Sequence, residues 1–302
     1  MPNTAMLSDD RDTSEQELFT RVRRVVRASR TSDASSLVTI QPHGSRLPLF
    51  GIHPGNGEVF FYRRLAPLLG PDQPVYGFRA GGLDGRTRAL SRVEDFASAY
   101  VRDVVAVQPQ GPYVLVGRCG GSKIAYEMAQ QLSRMGQTVA LLAVIDPGQI
   151  FPAGAIVNRV AGVARYLRYH AANGHLWPAI KVTMVRRVRL AQRRMERLAH
   201  AVRGDRTTQA GPDVASRRAR ATVRDALLSP SYTPAPYSGR ILYFAAADAE
   251  RHANPSESWA RLAALDVVNV PGNHRTITAT ENLAVLAGHL RRHLDALATP
   301  AR

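Results

Sequence analysis

The sequence predicts an α/β fold in which a mostly parallel central sheet is covered by helices on both faces. Two observations support this prediction. From residue 37 onward, short apolar runs alternate with segments of helical periodicity, and after an interruption the same alternation returns near the C-terminus. Strands buried on both faces and joined by helices produce this pattern. With 302 residues, 45% of them apolar, the chain can bury one large core and carry an insertion.

The individual elements follow from local pattern. Each predicted strand is a short apolar run, and each predicted helix repeats apolar residues at helical spacing. The strands are residues 38–40, 47–52, 75–78, 113–116, 139–145, 240–244 and 267–270, and the helices cover residues 58–69, 93–108, 122–135 and 280–297. Before them, residues 1–13 are polar and predicted to be disordered, and Ser14 with Glu17 forms a capping box that opens a helix. We therefore divide the chain into an N-terminal tail and helix, 1–36, and an α/β domain, 37–302.

The alternation stops after Asp146, and residues 151–230 have the pattern of helices only. An all-helical block inserted after a central strand is typical of a lid. This block holds 16 basic and four acidic residues and so carries +12 of the net charge of +16. Such a surface would attract an acidic partner, and the alternative is that these arginines lie on ordinary solvated helix faces. No aromatic or helix-turn-helix pattern accompanies them, which argues against nucleic acid.

The sequence also indicates a compartment. A single cysteine excludes an intramolecular disulfide and fits a reducing environment. The N-terminus lacks the basic and apolar pattern of a signal peptide, and no apolar run approaches membrane-spanning length. We therefore expect a cytoplasmic protein without membrane association.

The single cysteine, Cys119, lies at the centre of Gly117-Arg118-Cys119-Gly120-Gly121, between a predicted strand and a predicted helix. This pattern matches G-x-S-x-G, the nucleophile elbow of α/β-hydrolases, with cysteine in place of serine. Glycines are needed because the turn is too sharp for neighbouring Cβ atoms. The following helix N-terminus favours the thiolate. Cys119 is therefore the predicted nucleophile, and the alternative is a buried structural cysteine.

A nucleophile at this position needs a base and an acid that orients the base. His274 follows the last strand, where this fold carries its base. Two acids are candidates: Asp146 ends the strand after the elbow, and Asp248 follows the next strand. Spacing alone does not choose between them. We predict no metal site.

Several segments together resemble the type I thioesterases that release products from non-ribosomal peptide and polyketide synthases. The resemblance extends over roughly residues 37–297. The matching segments are residues 40–42, 48–57, 60–65, 108–117, 124–132 and 270–274. In that family the acid usually lies about 27 residues after the nucleophile, which is the position of Asp146, although some relatives use the later position. The resemblance thus favours Asp146.

The resemblance also implies an oxyanion hole formed by the backbone N–H groups of Gly55 and Gly120. Arg118 departs from the family, which commonly has an aromatic residue or histidine there. We consider Arg118 a candidate for binding a phosphate or carboxylate or for lowering the pKa of the thiol; an ion pair with an acid at the sheet edge is the alternative. His53 is a weaker substrate-binding candidate, and its position in a turn favours a structural role.

Cysteine in place of serine bears on the reaction. Attack by Cys119 on a thioester gives another thioester, so the exchange is nearly isoenergetic and the acyl group stays activated. This favours transfer to an amine, thiol or hydroxyl acceptor on a small molecule or a second carrier protein. The resemblance implies an acidic carrier protein as donor, docked at the basic lid, and no cofactor apart from the carrier's phosphopantetheine arm.

Three alternative functions stay open. A hydrolytic thioesterase would release the free acid. A cysteine hydrolase resembling dienelactone hydrolase would share the elbow, but its acid is expected after the later strand, at Asp248, and it needs no long lid. A non-catalytic module would bind carrier proteins without forming an acyl-enzyme.

Overall fold

A computed structural model describes residues 17, 20–21, 35–83, 89–150, 212–228, 232–248 and 255–298. The strands are β1 (Ser35–Gln41), β2 (Leu49–Ile52), β3 (Val75–Ala80), β4 (Tyr113–Arg118), β5 (Val139–Ile145), β6 (Arg240–Ala246) and β7 (Ala264–Val270). The helices are α1 (Phe60–Leu69), α2 (Val93–Val107), α3 (Gly121–Arg134), α4 (Pro212–Leu228), α5 (Pro255–Ala260) and α6 (Thr280–Ala298). Every strand and helix predicted between residues 37 and 145 is present, with bounds that shift by a few residues.

The seven strands form one sheet in the order β1-β3-β2-β4-β5-β6-β7. β1 pairs antiparallel with β3, and all other neighbours pair in parallel. This confirms the predicted mostly parallel sheet. Because parallel strands end at the same edge, the loops that follow β2, β4, β5, β6 and β7 meet there.

Two apolar cores lie on opposite faces of the sheet, because successive side chains of a strand point to opposite sides. In β4, Tyr113 and Leu115 belong to the core that includes residues of α2 and α3, whereas Val114 and Val116 belong to the core that includes residues of α1 and α6. Arg118 lies two positions after Val116, so its side chain points to the same face of the sheet. That face is the one covered by α1.

The predicted lid is described only at α4, which is helical as expected; residues 151–211 and 229–230 lie outside the described residues. The end of α4 packs on α3, where the Lys123 ammonium donates to the Leu227 carbonyl at 3.0 Å. Hydrogen bonds also hold residues 232–235, which follow α4, against α3. The Tyr126 hydroxyl donates to the Ala235 carbonyl at 2.7 Å, and the Tyr232 hydroxyl donates to the Glu127 carboxylate at 3.0 Å.

Two further predictions concern the ends of the chain. Of the N-terminal helix, only residues 17, 20 and 21 are described, and they are helical. The tail at 1–13 lies outside the described residues.

Helix α5 was not predicted, because six residues are too few to show a helical period. Among the described residues, no helix is long and apolar enough to cross a membrane.

Candidate active site

Cys119 and Asp146 occupy equivalent positions at the ends of two neighbouring strands. Arg118 and Ile145 pair in the β4–β5 register, and the Cys119 N–H donates to the Ile145 carbonyl at 2.9 Å. Both residues have positive φ values, 54° for Cys119 and 42° for Asp146. Side chains other than glycine rarely adopt this left-handed conformation, which is typical of functional turns. The two turns lift both side chains above the edge of the sheet.

Close backbone approaches explain two glycines of the elbow. A Cβ atom on Gly117 would lie 2.6 Å from the Ser122 Cα atom. A Cβ atom on Gly121 would lie 2.1 Å from the His53 carbonyl oxygen. The first approach lets the chain turn directly from β4 into α3. The second brings the loop after β2 against the elbow.

His274 joins the two side chains. Its Nδ1 atom is hydrogen-bonded to the Asp146 Oδ2 atom, and its ring is also hydrogen-bonded to the Cys119 thiol. The turn that carries His274 is closed locally, because the Asn273 N–H donates to the Thr276 hydroxyl at 2.8 Å. The structure thus brings together the predicted nucleophile, base and acid in a single chain of contacts.

The charges in this chain of contacts favour a thiolate and an imidazolium. The hydrogen bond to Asp146, followed by that to Cys119, raises the pKa of His274 to about 10. Burial acts to raise the pKa of Cys119, but the hydrogen bond and charge of His274, the Gly120 N–H and the charge of Arg118 outweigh it. The pKa of the thiol therefore lies below its ordinary value of 9.0.

The second acid candidate lies elsewhere. Asp248 follows β6 and is exposed, and its backbone N–H donates to the Gly272 carbonyl at 2.9 Å. Within the part of the chain that the structure describes, its carboxylate makes no hydrogen bond or ion pair with His274. Asp248 therefore supports the loop before His274 through its backbone, while Asp146 contacts the imidazole.

The two oxyanion-hole candidates lie on either side of the elbow. The Gly120 N–H is hydrogen-bonded to the Cys119 sulfur. Gly55 lies in the turn after β2, which the Gly57 N–H closes on the Pro54 carbonyl at 2.9 Å. Among the described residues, no protein group accepts a hydrogen bond from the Gly55 N–H. This donor is consequently available to a bound group.

The expectation that His53 contacts substrate does not fit its position. The ring is fully buried, with Nδ1 2.9 Å from the Pro54 carbonyl and Nε2 2.8 Å from the Tyr100 hydroxyl. Because a carbonyl can only accept, Nδ1 carries the proton and Nε2 accepts from Tyr100. Burial lowers the pKa of His53 to about 4, so the ring is neutral. His53 holds the turn that carries Gly55.

Arg118 directly precedes Cys119, and its guanidinium carbon is 5.5 Å from the centre of the Phe61 ring. It lines a pocket with seven other residues: Pro54, Asn56, Glu58, Phe60, Phe61, Arg64 and Thr278. Of these, Arg64 was not identified from sequence, although it follows Phe60 by one helical turn. Within the described ranges, no three histidine, cysteine, aspartate or glutamate side chains cluster as a metal site would require.

Comparison with known proteins relates part of the chain to a known family. Residues 47–153 match the family model for the thioesterase domain, and this segment includes Gly55, Cys119 and Asp146. Over this segment the chain is similar to thioesterase domains. His274 lies beyond the matched segment, so its assignment rests on the geometry described above.

Long synthetases are among the proteins to which this chain is similar. It is 29% identical over 268 residues to malpibaldin synthetase of Mortierella alpina, an alignment that covers 86% of this chain and 4% of that protein. It is 40% identical over 110 residues to aspulvinone E synthetase melA of Aspergillus terreus, covering 36% and 12%. A dimodular nonribosomal peptide synthase of Bacillus subtilis is 34% identical over 131 residues, covering 43% and 6%. The chain thus spans a small part of the length of these relatives.

Solved structures support the fold. The NocB thioesterase domain from the nocardicin cluster superposes with a TM-score of 0.58 at 22% identity, covering 86% of this chain and 98% of that one. The Vlm2 thioesterase domain gives a TM-score of 0.57 at 20% identity, covering 87% and 99%. These similarities confirm the predicted α/β-hydrolase fold. At such identities they carry no statement about substrate.

Proposed function

We propose that this protein is a thioesterase-family acyltransferase that takes an acyl, aminoacyl or peptidyl group from a carrier-protein-bound thioester and passes it to an acceptor through an acyl-cysteine. The observation that carries the proposal is the contact of the Cys119 thiol with His274 and of His274 with Asp146. The names of the relatives, which include nonribosomal peptide synthetases, support a place in natural-product biosynthesis.

The first half-reaction forms the acyl-enzyme. The Cys119 thiolate attacks the thioester carbonyl, and the carbonyl electron pair moves to the oxygen. The N–H groups of Gly55 and Gly120 stabilise this oxyanion. When the intermediate collapses, the bond to the phosphopantetheine sulfur breaks, and that sulfur takes the proton of the His274 imidazolium. His274 is then neutral, and Asp146 keeps it oriented.

The second half-reaction consumes the acyl-cysteine. Neutral His274 removes a proton from an amine, thiol or hydroxyl acceptor as the acceptor attacks the acyl carbon. The Cys119 sulfur leaves as a thiolate, which restores the ion pair with the imidazolium. Because acyl-cysteine is itself a thioester, it retains its activation towards these acceptors. Water as acceptor would give the hydrolytic thioesterase instead.

The proposed donor is an acidic carrier protein that presents its acyl group on a phosphopantetheine arm. The +12 charge of residues 151–230 supports this choice, because opposite charges on two proteins attract over distances near the Debye length. The proposed acceptor is a small molecule or a second carrier protein.

Intact mass spectrometry after mixing with a panel of acyl-loaded carrier proteins tests the proposal. We expect the wild type to gain the mass of an acyl group and to lose it when an acceptor is added. Cys119→Ala should gain nothing, and His274→Ala should load at least about a hundredfold more slowly, the usual scale of a lost general base. Loading of Cys119→Ala to wild-type stoichiometry would refute the acyl-cysteine.

A serine variant separates transfer from hydrolysis. Cys119→Ser should form an oxygen ester, which is less activated, so we expect slower loading and a larger fraction of free acid or stalled ester. An unchanged ratio of transfer product to free acid would contradict the role given to the thioester. Loss of the acyl group to water alone in the wild type would assign a hydrolytic function.

A further inference from the structure

Arg118, the residue directly before Cys119, lines a pocket whose positive charge is not balanced by nearby acids. Arg118 and Arg64 both line it, together with a single acid, Glu58. Glu58 is already engaged: Arg79 donates to its two oxygens at 3.1 and 3.4 Å, and Arg220 lies 3.7 Å away. Arg64 donates to the Thr280 hydroxyl at 3.2 Å. Within the described ranges, no carboxylate pairs with Arg64 or Arg118.

The Arg118 guanidinium suits a planar anion, because its N–H donors form a planar fork. Its central carbon lies 5.5 Å from the centre of the Phe61 ring, so an aromatic ring supports it on one side. A carboxylate can accept two hydrogen bonds from such a fork side by side. The polar side chains of Asn56 and Thr278 line the same pocket, and Phe60, whose side chain is 61% exposed, gives it an apolar wall.

We propose that this pocket binds a carboxylate carried by the acyl group of the substrate. The inference rests on the proposed acyl transfer and adds to it a substrate class, the thioesters of acids that bear a second, negatively charged group. The carboxylate would lie against Arg118 and Arg64, and the carbon chain that joins it to the thioester would lie against Phe60.

Distance argues for the acyl group and against the phosphate of the carrier's arm. Arg118 directly precedes Cys119, and consecutive Cα atoms are about 3.8 Å apart. In the phosphopantetheine arm, two amide units with their methylenes separate the phosphate from the sulfur. This is comparable to about four extended residues, or roughly 13 Å. With the thioester at Cys119, an extended arm therefore places its phosphate much farther from the thiol than the residue that directly precedes Cys119.

Loading of Cys119 by two N-acetylcysteamine thioesters tests the inference, because these probes contain no phosphate. One carries a glutaryl group with a free carboxylate, and the other carries the neutral carboxamide of the same length. The measured quantity is the ratio of their loading rates, followed by intact mass. A ratio is used because any change in the reactivity of the thiol affects both probes equally.

We expect the wild type to prefer the glutaryl thioester by about tenfold or more, since a hydrogen bond to a charged group contributes at least this much. Arg118→Gln and Arg64→Gln should each remove most of the preference, and Arg118→Lys should retain part of it. Arg63→Gln is the matched control. Arg63 is exposed and lies on α1 beside Arg64, and its guanidinium carbon is 5.9 Å from the Phe60 ring centre. It does not line the pocket.

Three results would overturn the inference. The wild type could load both probes at equal rates, or Arg63→Gln could change the ratio as much as Arg118→Gln. Alternatively, Arg118→Gln could leave the ratio unchanged but slow loading from coenzyme A thioesters, which contain the phosphate. In each case loading itself would still support the proposed acyl transfer. If neither probe nor any carrier-bound thioester loaded Cys119, both proposals would fail.

Discussion

Replacement of Asp146 by asparagine tests how the carboxylate controls the reactivity of Cys119. The hydrogen bond to Asp146 is the largest cause of the raised pKa of His274, from 6.5 to about 10. Asparagine has a similar shape but no charge, so in Asp146→Asn the pKa of His274 should fall. The imidazolium would then lose its proton at lower pH, and Cys119 would lose its neighbouring cation. The pKa of the thiol should rise towards 9.0.

The size of the effect follows from the titration. Below the pKa of a thiol, each unit by which that pKa rises lowers the thiolate fraction tenfold. The His274 side chain is 57% exposed, so water screens part of the interaction and the full change in the imidazole does not reach the thiol. We therefore expect the pKa of Cys119 to rise in Asp146→Asn. Loss of a partly exposed charge interaction of at most about 1 kcal/mol should make the thiolate up to about fivefold less abundant at a pH below that pKa.

The assay is the rate of alkylation by iodoacetamide as a function of pH. Cys119 is the only cysteine, so the whole thiol signal belongs to it. In the wild type, the rate should stay high as pH falls below 9.0 and drop only when the thiolate is protonated. In Asp146→Asn, the midpoint of that drop should move to higher pH.

Asp248→Asn is the matched control, because Asp248 is exposed and follows the neighbouring strand. Its alkylation profile should coincide with that of the wild type, and its turnover should fall far less than that of Asp146→Asn. A profile for Asp146→Asn that superimposes on the wild type would refute the reasoning. A larger shift in Asp248→Asn would move the acid to the later strand.

Three further predictions concern packing and charge. Gly121→Ala should lower the free energy of unfolding by about 3 kcal/mol, because the new Cβ would overlap the His53 carbonyl. Gly288→Ala lies in open space on α6 and should raise the free energy of unfolding by about 0.5 to 1 kcal/mol; thermal or urea unfolding measures both changes. Glu127→Ala should lower the free energy of unfolding by about 2 to 3 kcal/mol, since the buried carboxylate accepts hydrogen bonds from Tyr232, Gln131 and Arg134. Glu94→Ala removes a partly exposed ion pair with Arg92 and should lower it by under about 1 kcal/mol; equal losses in the two variants would contradict this prediction. The apparent affinity for an acidic carrier protein should fall steeply with ionic strength, while turnover of a small thioester stays constant. Charge reversal at Arg186, Arg187, Arg193 and Arg194 should reproduce the high-salt behaviour at low salt. If the kinetics were insensitive to both changes, the basic residues of 151–230 would form only a solvated surface.

Much of the α/β domain could be predicted because its signals are local. A buried strand is an uninterrupted apolar run, and a helix on a sheet repeats its apolar residues every three to four positions. Segments such as 113–118 and 139–145 show these patterns without reference to the rest of the chain. The short helix α5 escaped because its six residues do not complete two turns.

The elbow could be predicted for the same reason. Gly117, Gly120 and Gly121 surround Cys119 in sequence, and the strand and helix on either side are its immediate neighbours. The residues that define this turn are consecutive in the chain, so the sequence pattern alone identifies it.

The tertiary structure decided what depends on residues far apart in the chain. His274 and Asp146 are separated by 128 positions, and only the register of β5 and β6 and the loop after β7 bring Asp146 rather than Asp248 to the imidazole. Burial gave His53 a structural role, because a neutral ring bonded to Tyr100 cannot reach a substrate. The pairing of Glu58 with Arg79 left the charge of Arg118 and Arg64 unbalanced, which no local pattern indicates. Sequence by itself thus determined the elements and the elbow, whose causes are local, while contacts between distant residues determined which acid meets the imidazole and the charge of the pocket.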